Sequence, residues 1–390
     1  MSNKSLDKKR KDPMVGLIIL AVLMALLVAG CFIGGSMIAE YRAGILAEQQ
    51  QAVQARNSEK QAAYYAEVAE YKEKLSQSNQ VNDAWPEAAE EGWDIVDLTN
   101  YPLEAPGVVT VNRADIMNNG LLLVNEWHSR PEDFDDSSVI SVSGYLRGVE
   151  IDSFWQNSTC KLFPQAIDAL LLALKDAEAA GLKNFVLEAG CTYRSYDEQY
   201  ALFQKEVDRQ RSNHPSYSDE KVIERAKRTI NYPGTSEYNT GLAFRLYLYE
   251  KDNAALNNAA FYETAQGKWL YENSWKYGLV FRFPTANYPM EGVSDKTYKT
   301  GVGTNLNIYR YVGVANAEIM TKLDLCQEEY IEYLQEHPHL AVFEDGAKKY
   351  EVTYQKVGDA ATFSVDVNRL TDQYTMYLDN MGGVVTVYTY

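Results

Sequence analysis

"PGTSEYNTGLAFRLYL", residues Pro233 to Leu248, holds the most informative pattern in the chain. It opens as a tight turn, Pro233-Gly234-Thr235-Ser236, of the kind that sets polar side chains at the mouth of a site. A short polar run leads into a strand, and that strand carries Arg245 among Leu242, Ala243, Phe244 and Leu246. A buried cation needs a partner, so an arginine in an apolar strand asks what it faces.

Working outward, strands and helices alternate around this stretch without a regular βαβ period. Upstream, "SVISVSGY" (Ser138 to Tyr145) alternates like a strand. "PQAIDALLLALKDAEAAGLKN" (Pro164 to Asn184) reads as a helix with proline near its start and Gly181 at its end. "FVLEAG" reads as a buried strand, and helices follow from "SYDEQY" and over Ser218 to Ile230, where Ser218 is a cap and the first turn is acidic. Downstream, Ala259 to Gly278 reads as one helix, "LVFRFP" and "IYRYVG" as strands, and "QEEYIEYLQEH" as the last helix. From Leu340 to Tyr390 the chain alternates apolar and polar residues around Gly, Asn and Asp turns, which predicts a β-rich extension. The fold class is α+β, with no glycine-rich phosphate loop and no internal repeat.

The amino-terminal end differs from the rest. Lys4, Lys8, Lys9, Arg10 and Lys11 precede an uncharged run from Met14 to Ala39. About 20 apolar residues suffice to cross a bilayer, and this run is longer. Positive charge before it predicts a cytoplasmic amino terminus and an extracytoplasmic remainder. "VAGC" at Val28 to Cys31 also fits a lipoprotein cleavage box, so lipidation of Cys31 stays open. Glu40 to about Gln80 is rich in Ala, Glu, Gln and Lys and predicts a helical stalk, about 60 Å long at 1.5 Å per residue. Its sparse apolar positions leave self-association open. The organisation expected is therefore a basic tail (1–13), a transmembrane helix (14–39), a stalk (40–80), a connector (81–119), a main domain (120–338) and a β-rich module (339–390).

Composition narrows the function. The 390 residues carry a formal net charge of −17, which disfavours nucleic acid as a partner. Aromatics make up 12% of the chain, compatible with a packed globular body. Of the four cysteines, Cys160 and Cys191 could form a bridge, although small buried thiols fit their spacing as well. The four histidines, His128, His214, His337 and His339, stand in no metal-ligand pattern.

Five ordered segments, "LLLVNEWHSRPEDF", "TYRSYDEQ", "PGTSEYNTGLAFRL", "WKYGLVFRFP" and "NLNIYRYVG", resemble the zinc D-alanyl-D-alanine carboxypeptidases of the VanY type, with a VanY/Hedgehog-like core. The resemblance runs from about Leu121 to His337. It implies trimming of the terminal D-alanine from peptidoglycan stem peptides by a metal held on His, Asp and His, with a Glu as general base. The family's S-x-H-x-x-G-x-A-x-D reads Ser236-Glu237-Tyr238-Asn239-Thr240-Gly241-Leu242-Ala243-Phe244-Arg245 here. Its E-P-W-H-Y-R-Y-V-G reads Asn305-Leu306-Asn307-Ile308-Tyr309-Arg310-Tyr311-Val312-Gly313.

By that alignment Tyr238, Arg245 and Ile308 replace the three ligands and Asn305 replaces the base, so no metal ligands and no cofactor are expected although the family uses zinc. Ile308 has no lone pair, Arg245 repels a divalent cation, and Asn305 cannot take a proton from water at neutral pH. Arg194, Ser236 and Gln199 persist where the family grips its peptide, and Arg245 could join Arg194 in a cationic, carboxylate-binding pocket or pair with Glu237 or Glu188. The reading expected is a membrane-anchored pseudoenzyme that binds peptidoglycan peptide or an envelope protein. The alternatives are an active carboxypeptidase with an unconventional site and a structural module of the envelope.

Overall fold

The structure, a computed structural model, describes residues 86–146, 154–156 and 158–390. The basic tail, the apolar run and the stalk lie outside the described residues. No helix among the described residues is long and apolar enough to cross a membrane.

Fourteen strands are described. In chain order they are β1 (Trp93–Asp97), β2 (Pro106–Asn112), β3 (Ile140–Ser141), β4 (Phe154–Gln156), β5 (Lys161–Leu162), β6 (Phe185–Leu187) and β7 (Ala243–Leu248). They continue with β8 (Leu279–Phe281), β9 (Ile308–Tyr311), β10 (His339–Glu344), β11 (Ala347–Lys356), β12 (Thr362–Asn368), β13 (Tyr374–Leu378) and β14 (Gly383–Thr389). One five-stranded sheet has the order β4-β6-β7-β9-β8 and the other β1-β10-β11-β14-β13, while β2 pairs with β12 and β3 with β5. In the first sheet only the β4–β6 pair is parallel.

The helices that frame the first sheet follow from local signals. Helix α1 (Pro164–Ala179) starts on its proline and buries Ala166, Ile167, Ala169, Leu170, Ala173, Leu174 and Ala177 along one face. Helix α2 (Tyr196–Asn213) starts on a capping box: the Glu198 amide donates to Ser195 Oγ at 3.1 Å and the Ser195 amide to Glu198 Oε2 at 2.8 Å. Ser218 caps α3 (Asp219–Lys227), which packs on α2 through Phe203, Val207, Val222 and Ala226.

Two segments differ from the pattern in the sequence. "SVISVSGY" holds only the two residues of β3 before turning into a one-turn helix at Val142–Tyr145, because Ser141 accepts from the Gly144 amide at 3.4 Å. Ala259 to Gly278 is not one helix. Thr264 caps α4 (Ala265–Asn273) by accepting from Gly267, and 3-10 turns flank it at Phe261–Glu263 and Ser274–Tyr277. Gly278 ends the run at φ 80°, where a Cβ would lie 2.9 Å from the Gly313 carbonyl carbon.

The second sheet joins distant parts of the chain. Within the segment expected to be a connector, β1 pairs with β10 and β2 with β12. The carboxy-terminal strands therefore share their layer with residues before the main domain rather than standing apart. Helices α5 (Val314–Lys322) and α6 (Gln327–Glu336) supply Ala317, Ile319, Met320, Tyr330 and Leu334 to a core with Leu340, Val342, Val352 and Val385. Val365, Met376, Leu378 and Tyr388 join the larger core beneath α1 and the first sheet.

Candidate functional site

The site forms where β7 meets β9. Arg245 stands directly opposite Ile308 in that antiparallel pair, so both side chains share one face. The 3-10 turn Glu237–Thr240 brings Tyr238 to the same place and ends on Gly241 at φ 68°, where a Cβ would lie 2.8 Å from the Phe163 ring. The Arg194 amide donates to the Tyr238 carbonyl at 3.0 Å, and the Arg245 amide to the Cys191 carbonyl at 3.0 Å. These backbone bonds gather Cys191, Arg194, Tyr238 and Arg245 on one wall of a cleft of about 910 Å³. That is within the range of ordinary ligand sites. Phe283, Val302, Leu306 and Ile308 also line it, and Glu126, Glu224 and Lys227 contribute polar lining.

At the corner marked by the predicted ligand positions, Tyr238, Ala243, Phe283 and Ile308 pack into an apolar cluster with Cys191, Val302 and Leu306 against it. Burial holds the Tyr238 phenol far above its ordinary pKa, and burial raises the Cys191 thiol as well, with Glu188 adding to the shift. Both shifts favour the neutral form of each side chain. Arg194 stacks over the Tyr238 ring with its guanidinium carbon 4.7 Å from the centroid.

Behind this wall lies a buried charge cluster. Arg282 Nε donates to Glu237 Oε1 at 2.5 Å, and its two terminal nitrogens bind Glu328 at 2.7 and 2.9 Å. Arg310 donates to Glu237 Oε2 at 2.6 Å and to the Gly120 and Leu122 carbonyls at 2.8 and 2.9 Å. Both arginine side chains are fully buried and the charges balance two against two. Glu237 thus fixes the turn that carries Tyr238.

Residues 160–300 match the family VanY, described as D-alanyl-D-alanine carboxypeptidase. The chain carries a VanY-type domain. Over 282 residues it is 26% identical to a D-alanyl-D-alanine carboxypeptidase of Enterococcus faecium, covering 71% of this chain and 77% of that protein. Over 276 residues it is 28% identical to YodJ of Bacillus subtilis (strain 168), named as a carboxypeptidase candidate, covering 71% and 88%. A solved vancomycin-resistance D,D-dipeptidase, VanXYg in complex with a D-Ala-D-Ala phosphinate analogue, aligns with TM-score 0.52 at 19% identity over 73% of this chain and 99% of its own, a likeness of fold.

Within the VanY-type domain the residues singled out from sequence separate into groups. Arg194, Ser236, Tyr238, Arg245 and Ile308 all line the large cleft. Gln199 does not. It is buried behind Arg194, accepting from Arg194 at 3.1 Å and donating to the Asn231 carbonyl at 2.8 Å, so it braces the arginine instead of facing a ligand. Asn305 lines a second, smaller cavity of about 270 Å³ and accepts from Thr285 Oγ1 at 2.7 Å. Arg245 lines both cavities. Its ion-pair partner is Glu188 at 2.9 Å; Glu237 is consumed by Arg282 and Arg310. Cys191 carries a free thiol, so no bridge joins it to Cys160, whose thiol lies 3.8 Å from the Leu187 carbonyl. Phe283 and the Arg282–Glu328 pair were not legible beforehand, since no spacing links residues 46 positions apart.

Zinc does not fit this donor set. Tyr238 is held neutral, Ile308 offers no lone pair and Arg245 is a cation. Among the described residues, no three His, Cys, Asp or Glu side chains form a group that could hold a metal ion.

Proposed function

We propose that this VanY-type domain is a non-catalytic reader of peptidoglycan stem peptide. One observation carries the reading. Where the family resemblance expects a hydrolytic metal, Tyr238 and Ile308 pack with Phe283, and Arg245 is ion-paired beside them. The cleft, of about 910 Å³, has Arg194, braced by Gln199, where the family resemblance expects a grip on peptide. The E. faecium relative is named for cleavage at D-alanyl-D-alanine, and its likeness supports a ligand of that class. The test is elemental analysis for zinc together with D-alanine release from a stem pentapeptide. The reading expects neither stoichiometric zinc nor turnover, alongside saturable binding of the peptide; zinc with turnover overturns it in favour of an active carboxypeptidase.

The same reading places the domain outside a bacterial membrane, tethered by the uncharged run Met14 to Ala39. Retention of the full chain in the membrane fraction after alkaline extraction, with the domain open to added protease in intact spheroplasts, is the expected result. A soluble or protease-shielded domain refutes it.

A further inference from the structure

We propose that Arg245 is a receptor for a ligand carboxylate in the cleft and that Glu188 is its internal competitor. This deepens, and rests on, the peptide-binding reading above. Four observations lead to it. First, Nε of Arg245 lies 2.9 Å from Glu188 Oε2 yet is not aligned for a hydrogen bond, leaving that buried donor unfilled. A guanidinium can satisfy five donors, and a carboxylate matches its fork through two of them. Second, the pair is only partly covered, with 36% of the Arg245 side chain and 30% of Glu188 exposed, so an entering anion can reach it. Third, Arg194 and Arg245 line the same wall, Arg194 with its guanidinium over the Tyr238 ring and Arg245 with its amide on the Cys191 carbonyl, so two cations converge on one part of it. Tyr238 and Cys191, both neutral, do not cancel that charge. Fourth, the floor beside them is Phe283, Val302, Leu306 and Ile308, which suits a small apolar side chain next to the anion. Elsewhere in the cleft the charges are mixed, with Glu126, Glu224, Lys227 and Arg228 on its lining and Glu224 paired with Lys227 at 2.8 Å, so the cationic wall is that of Arg194 and Arg245, and the peptide-binding reading supplies its ligand group, the carboxylate of a peptide terminus.

Glu188 gives the idea its sharpest consequence. A ligand carboxylate must displace or share Arg245, so removing the internal carboxylate should tighten binding, an outcome that misfolding cannot produce. The experiment is calorimetric titration of the full-length protein with an N-acylated lysyl-D-alanyl-D-alanine peptide and with its carboxy-terminal amide. Wild type should bind the acid at least about tenfold more tightly than the amide, and Arg245→Gln should weaken the acid by about tenfold or more. Glu188→Gln should strengthen it roughly two- to fivefold, as expected for a partly exposed pair. Equal binding of acid and amide, an unchanged affinity in Arg245→Gln, or weaker binding in Glu188→Gln would each overturn the assignment while leaving peptide binding in place. No binding of either peptide to wild type would remove the peptide-binding reading and this inference together.

Discussion

Consider Glu237→Gln. Glu237 is 4% exposed and its two carboxylate oxygens accept from Arg282 at 2.5 Å and Arg310 at 2.6 Å. Glutamine keeps the volume but offers one oxygen, and its NH₂ then points at the other guanidinium, donor against donor. Arg282 retains Glu328, at 2.7 and 2.9 Å, and Arg310 retains no carboxylate, only the Gly120, Leu122 and Tyr311 carbonyls. The cluster passes from neutral to a net buried charge of one. Breaking a buried pair by removing one partner costs about 3–5 kcal/mol, a large part of a typical stability of about 5–15 kcal/mol. For a domain of this size that lowers the melting temperature by on the order of 10 °C. Differential scanning calorimetry reads the shift directly. A change of under about 1 kcal/mol would show that water enters the cluster and that the low-dielectric reasoning is wrong.

Other outcomes follow from the same structure. Burial alone would raise the Glu351 pKa, but hydrogen bonds from His339, Tyr390 and Asn368 and the charge of Lys348 outweigh it and bring it from 4.5 to about 2. Because the folded value is depressed, this carboxylate contributes about 3 kcal/mol that is complete above pH 4.5 and lost as pH falls toward 2; urea unfolding from pH 6 to 2.5 should show the loss, and Glu351→Gln should flatten it. The triple substitution Tyr238→His, Arg245→Asp, Ile308→His should confer stoichiometric zinc by elemental analysis, whereas Ile308→His alone should not; failure of the triple variant to take up zinc would sink the alignment of these positions with the family's ligands. Ser195→Ala removes the cap of α2 and should cost about 1 kcal/mol in urea unfolding, with Arg194 losing stacking order as read by weaker peptide binding.

Local signals in the sequence carried much of the architecture. Pro164, Ser195 with Glu198, and Ser218 mark helix starts because each satisfies or avoids an orphan amide within three residues. The turn at Ser236 and the apolar strand after it were legible for the same reason, and so was a carboxylate partner for Arg245. What the pattern could not show is pairing over distance. The cluster of Glu237, Arg282, Arg310 and Glu328 joins four separate segments, and nothing in their spacing distinguishes them from surface charges. Gln199 looked like a ligand contact because its neighbours belong to a recognised motif; only its burial reveals it as a brace. The alternation in Ser138 to Tyr145 misled because a serine side chain two residues into the strand stopped it.

The edge pairing of β1 with β10 has a consequence for how this protein is made. The Gly92 amide is held by Asp345 Oδ1 across 253 positions, at 2.8 Å. An early strand therefore keeps its hydrogen-bonding edge open until β10, about 250 positions later, has been made. Long-range pairing of this kind folds slowly, so the nascent intermediate is the stage most exposed to holdase chaperones and to proteolysis. For anyone trimming the gene to the VanY-matching segment, the same pairing means that residues 93–97 and 339–389 belong in one expression boundary or both lose their partners.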